Sequence, residues 1–91
     1  FSKRFRKSPV KRAKRTGFLR NVAIALGNWS HQDAIPALVI GINDSEPLVR
    51  GHSAWALGRI NNKQARNKLK NAMLIEKNPK VLREIEIALG E

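Results

Sequence analysis

Pro47-Leu-Val-Arg-Gly-His-Ser-Ala-Trp-Ala-Leu-Gly58 is the stretch that decides how this chain folds. Its pattern recurs on both sides. Phe18-Leu-Arg-Asn-Val-Ala-Ile-Ala-Leu-Gly27 precedes it and Val81-Leu-Arg-Glu-Ile-Glu-Ile-Ala-Leu-Gly90 follows it, so the Ala-Leu-Gly triplets stand 31 and 32 residues apart. The stretches between align too, Ala34-Ile-Pro-Ala-Leu38 with Ala65-Arg-Asn-Lys-Leu69. Pro47 and Pro79 each stand two residues before the valine that opens a segment. A fixed period of this length is the mark of a stacked repeat architecture.

The spacing inside the repeat is helical. Leu19, Val22, Ala23 and Leu26 follow i, i+3, i+4, i+7, as do Ile35, Leu38, Val39 and Ile42. Ala65, Leu69, Ala72 and Met73 form another face, and Val81, Ile85, Ala88 and Leu89 a further one. Asp44 or Ser45 is placed to cap a helix opening near Pro47, and Asn78 one opening at Pro79. Gly27, Gly58 and Gly90 are expected as left-handed C-terminal caps. No convincing period-2 strand occurs. The expected fold is all-α, a short right-handed α-solenoid of helical pairs with five or six helices. Helices are predicted over roughly 18–27, 33–42, 47–59, 63–75 and 79–89. They form a repeat domain over 18–91 behind a basic lead-in over 1–17.

Charge separates those two parts. The chain carries 18 Lys+Arg against 7 Asp+Glu, a net charge of +11. Nine of the basic residues and no acid lie in residues 1–20, which leaves +2 on the other 71. So concentrated a charge points to a polyanionic partner. Residues 9–15 can form a short helix with Lys11, Arg12, Lys14 and Arg15 around most of its circumference. The competing reading is a solvated lead-in that docks on a neighbouring domain. Pro9 and the weak amphipathicity argue against a mitochondrial presequence.

Composition excludes several classes. With 91 residues only one small domain fits. With no cysteine there is no disulfide framework, thiolate zinc site, iron–sulfur ligation or cysteine nucleophile. No apolar run approaches the ~20 residues of a spanning helix; the charge would suit nucleic acid or an anionic membrane surface, and of these no membrane partner is expected. His31 and His52 have no spaced partners for a metal. The acids form no catalytic pair, since Glu84 and Glu86 face different ways on a helix. Phe1 in place of methionine suggests a processed product or a piece of a longer protein.

Two resemblances follow from these motifs. Pro-x-Val-Arg followed by Ala-Leu-Gly over residues 47–58 resembles HEAT-like repeats, whose fold implication is strong and functional implication weak. Ser8-Pro9-Val10-Lys11-Arg12-Ala13-Lys14-Arg15, Gly17-Phe18-Leu19-Arg20-Asn21 and Ala25-Leu26-Gly27-Asn28 resemble the start of the C-terminal region of the epoxyqueuosine reductase family. The resemblance implies a parent enzyme that reduces epoxyqueuosine to queuosine in tRNA with a cobalamin and two [4Fe–4S] clusters. No cofactor is expected on this chain, which has no cysteine to hold a cluster, and no catalytic residue is assigned to it. The expected contribution is tRNA binding and scaffolding. The candidate nucleic-acid contacts are Lys11, Arg12, Lys14, Arg15, Arg20 and Asn21, meeting anticodon-arm phosphates. The rest of the parent enzyme is the second expected partner, and a cytoplasmic monomer the expected form. The alternative is a HEAT-like protein-interaction module without RNA binding.

Of the single residues, Arg50 is expected to pair with Asp44 in the preceding turn. Leu19 and Leu82 hold the equivalent positions, so no continuous arginine ladder is expected. Arg59, Lys63, Arg66, Lys68 and Lys70 read as a solvated face. Trp55 reads as packing, and Trp29 as a cover for the end of the solenoid.

Overall fold

The computed structural model describes residues 9–90, among which there are five α-helices and no strand. They are α1 (Pro9–Trp29), α2 (Ile35–Ile42), α3 (Pro47–Ile60), α4 (Lys63–Ile75) and α5 (Pro79–Leu89), with a 3₁₀ turn over Gln32–Ala34 leading into α2. α1, α3 and α5 lie side by side with α3 in the middle, and α2 and α4 pack on that layer. The all-α solenoid read from the repeat is the fold observed. No described helix is long and apolar enough to cross a membrane.

The repeat motif encodes this packing residue by residue. Three successive positions on a helix point in three directions about 100° apart. In α3, Ala56 faces Gly27 of α1, Leu57 is fully buried in the core and Gly58 faces Ala88 of α5. A Cβ built on Gly27 would lie 3.0 Å from the Ala56 Cβ, and one on Gly58 would lie 2.7 Å from the Ala88 Cβ. Gly27 thus abuts Ala56 together with the Trp55 ring, and Gly58 abuts Ala88. Ala54 and Ala56 are fully buried, as expected of a helix with neighbours on several sides. Ile35, Leu38, Leu57, Leu69, Val81 and Ile85 supply the largest part of the shared core.

This packing corrects the expected caps. Gly27 and Gly58 lie inside α1 and α3, which continue two residues further to Trp29 and Ile60. The left-handed positions are Ser30 (φ 57°) and Asn61 (φ 52°), each three residues after the triplet glycine. Only Gly90, at φ 80°, ends its helix as predicted. Asn78 caps α5 through its Oδ1, which accepts from Lys80 N at 2.9 Å and Val81 N at 3.2 Å. Asn62 does the same for α4, accepting from Ala65 N at 2.8 Å. Neither Asp44 nor Ser45 caps α3. Glu46 is its N-cap residue, and the Asp44 carboxylate accepts from the Glu46 N–H at 2.9 Å.

α1 is longer than the predicted helix over 18–27. It runs unbroken from Pro9 through the end of the basic lead-in into the first repeat. Being the outermost helix of its layer, it buries little of its apolar face. Ala23 is buried and Leu26 partly so, but Val22 is 36% exposed and Phe18 67%.

Candidate nucleic-acid interface

The basic half of α1 is pinned to the loop between α2 and α3. Arg15 Nη2 donates to Asp44 Oδ1 at 2.5 Å, and its Nη1 lies 3.4 Å from Asp44 Oδ2. One turn earlier, Arg12 Nε is 3.4 Å from Glu46 Oε2, with Arg12 largely exposed. Burial pushes the Asp44 carboxyl up, but the hydrogen bonds from Arg15 and the Glu46 N–H, with the charges of Arg15 and Arg50, bring it below its ordinary value. The hydrogen bond to Asp44 raises the Arg15 guanidinium in turn.

The same device recurs at the next junction. Arg50 Nε and Nη2 donate to Glu76 Oε1 and Oε2 at 2.9 and 3.0 Å. Its Nη1 donates to the carbonyls of Asp44 and Ser45 at 2.9 and 3.1 Å. Glu76 Oε2 also accepts from Asn78 N at 3.0 Å. Burial raises the Glu76 carboxyl, and these bonds with the Arg50 charge lower it further than that. So Arg50 does not pair with the Asp44 carboxylate as predicted. That carboxylate is taken by Arg15, and Arg50 reaches 26 residues forward. Asp44 and Glu76 stand 32 residues apart, each two residues before an N-cap, and each receives an arginine from the preceding inner helix. Arg15 lies one turn before Leu19, the repeat equivalent of Arg50, so the ladder exists with a shifted register.

The six candidate contacts are therefore not one cluster. Arg12 and Arg15 face the acidic loop. Lys14 projects about 160° from Arg12 around α1 and shares a stripe with Asn21, which is exposed. Lys11 is exposed, and Arg20 is half-buried one turn before Ile24. Lys3, Arg4, Arg6 and Lys7 lie outside the described residues. Trp29 does not close the end of the solenoid. It is 56% exposed and stacks on His31 with ring centroids 4.8 Å apart. His31 Nδ1 accepts from Asp33 N at 3.0 Å.

Sequence reasoning missed a groove. It has a volume of about 720 Å3 and runs between α1, α3 and α5, with Ile24, Leu48, Trp55 and Val81 as apolar lining. His52, Lys80 and Glu84 supply its polar groups. None of its lining residues comes from α2 or α4, so it opens on the far side of the inner layer. Trp55 packs partly against the core, and the Arg59 guanidinium lies 5.8 Å from its ring centroid. Leu48, His52, Trp55 and Arg59 follow i, i+4, i+7, i+11 along α3, a stripe the sequence does contain.

Residues 12–90 match the family described as HEAT repeats. The chain belongs to the HEAT-repeat family. Within it, this HEAT-repeat chain is 39% identical over 72 residues to an epoxyqueuosine reductase of Bacillus anthracis, a match covering 77% of the chain and 19% of that protein. It is 37% identical over 67 residues to an uncharacterized protein in the gldA 3' region of Geobacillus stearothermophilus, covering 72% of the chain and 31% of that protein. A crystal structure of selenomethionine-labeled epoxyqueuosine reductase superposes with a TM-score of 0.72 at 32% identity, over 78% of the chain and 19% of the other. The chain thus spans between a fifth and a third of the length of these relatives. The resemblance to epoxyqueuosine reductases holds in sequence and in structure.

Proposed function

We propose that this chain is a tRNA-binding and scaffolding portion of an epoxyqueuosine reductase, holding anticodon-arm phosphates along the basic half of α1. The observation that carries this reading is the charge of +9 on residues 1–20, running into a helix that the solenoid holds in place. Arg12 and Arg15 orient that helix through Glu46 and Asp44, while Lys11, Lys14, Arg20 and Asn21 meet the RNA with the outer faces of the arginines. Such contacts position the RNA through its backbone and carry little sequence information.

The family's cobalamin and [4Fe–4S] clusters belong to the whole enzyme. The residues present here do not fit a cluster, because none of the 91 is cysteine. In this reading the enzyme is cytoplasmic and monomeric, and the chain takes no part in the reduction. Titrating an anticodon stem-loop of tRNA into the chain at two salt concentrations tests it. Six phosphate contacts predict a slope of log affinity against log salt of about −4 to −5. A protein-interaction module is the second reading, favoured by Leu74 and Ile75, which are 85% and 69% exposed near the end of α4.

A further inference from the structure

The groove between α1, α3 and α5 is not used by the phosphate contacts above. Its lining is mostly apolar, with a few polar groups at its walls, the usual composition of a small-molecule site. Gly51 of α3 faces α5 across it, where an added Cβ would make an ordinary contact of 3.8 Å with the Glu84 Cγ. The Trp55 indole lines one wall, and the Arg59 guanidinium, beyond the lining, lies over its ring at 5.8 Å from the centroid. Lys80 and His52 add basic groups, and Glu84 adds an acceptor that makes no ion pair among the described residues. Aromatic rings and guanidinium planes are the surfaces on which unstacked bases lie, and the cations match the phosphate that travels with a base.

We propose that this groove takes one unstacked nucleotide of a single-stranded RNA segment. The base rests against the Trp55 indole and presents an N–H to Glu84, and the phosphate meets Lys80. The inference rests on the RNA-binding reading and adds a base-contacting subsite about one helix away from the phosphate-binding face of α1.

The test uses the chain carrying Trp29→Phe, an exposed position, so that Trp55 is its sole indole. Hexauridylate, whose bases are poorly stacked, is titrated while Trp55 emission is followed, with linear polyphosphate of equal charge as the comparison. The expected result is saturable quenching by hexauridylate and none by polyphosphate, with Lys80→Glu weakening hexauridylate binding about tenfold. Equal quenching by polyphosphate overturns the proposal, because charge alone then explains it. So does hexauridylate binding, seen by anisotropy of a labelled oligomer, that leaves the emission unchanged. Failure of hexauridylate to bind overturns it too. The phosphate-binding reading is judged separately, by the stem-loop titration.

Discussion

Arg50 of α3 grips both carboxylate oxygens of Glu76, at 2.9 and 3.0 Å, and thereby ties the central helix to the loop that starts α5. The Arg50 and Glu76 side chains are only 19% and 6% exposed, so this pair is shielded from solvent far more than the Arg12–Glu46 pair. Replacing Arg50 with Met leaves two loop carbonyls without their donor and Glu76 with backbone N–H donors alone. Urea unfolding at pH 7 should show a loss of about 1–3 kcal/mol, the range for hydrogen bonds to charged groups.

The same pair predicts a pH dependence. Glu76 and Asp44 are held below their ordinary values of 4.5 and 3.8 in the folded chain. A carboxyl so lowered contributes its stability in full above the unfolded value, and loses it as pH falls through the folded one. Stability should therefore be level between about pH 6 and 7 and decline below about pH 5. In Arg50→Met the part of that decline that comes from the Arg50–Glu76 bond is missing, so the wild-type advantage should shrink between about pH 5 and 3. An advantage that stays constant down to pH 3 contradicts the assignment.

Glycine substitutions should have opposite signs at two helical sites. Gly58→Ala puts a methyl group 2.7 Å from the Ala88 Cβ and 3.0 Å from its Cα, where backbone must move. A loss of about 1–3 kcal/mol is expected from overpacking, despite the better helix propensity of alanine. Gly17 has nothing within 4 Å of its added Cβ. Gly17→Ala should gain about 0.5–1 kcal/mol by the same urea assay.

Helix caps give a third comparison. Asn78→Ala removes an acceptor for two backbone N–H groups and should cost about 1 kcal/mol. Glu46→Ala, at an N-cap residue with no side-chain cap bond, should cost less. Thermal unfolding of the two variants side by side decides it.

The sequence made the solenoid legible because its period is carried by apolar spacing. The helices predicted over 63–75 and 79–89 are α4 and α5 as observed, and α3 runs one residue further than expected. What was hidden lies between repeats. Gly27 and Gly58 look like caps within one segment, and only the neighbouring helix shows them to be points of close approach. Residues 9–17 belong to α1 with Arg12 and Arg15 held by Glu46 and Asp44, and no apolar stripe in those residues could announce that. Glu76 was missed because Arg50 has an acid closer in sequence. The groove was missed because Trp55 is both packing and lining, and spacing along one helix cannot separate the two.

The proposed function stands or falls with RNA phosphates bound along the basic half of α1. The most direct measurement is the salt dependence of anticodon stem-loop binding by the chain and by its Lys14→Glu, Arg20→Glu variant, which touches neither the Arg12–Glu46 nor the Arg15–Asp44 pair. A weaker affinity is expected for the variant, with a slope reduced by about 1.5–2 for two lost phosphate contacts. An unchanged affinity and slope in the folded variant would contradict it.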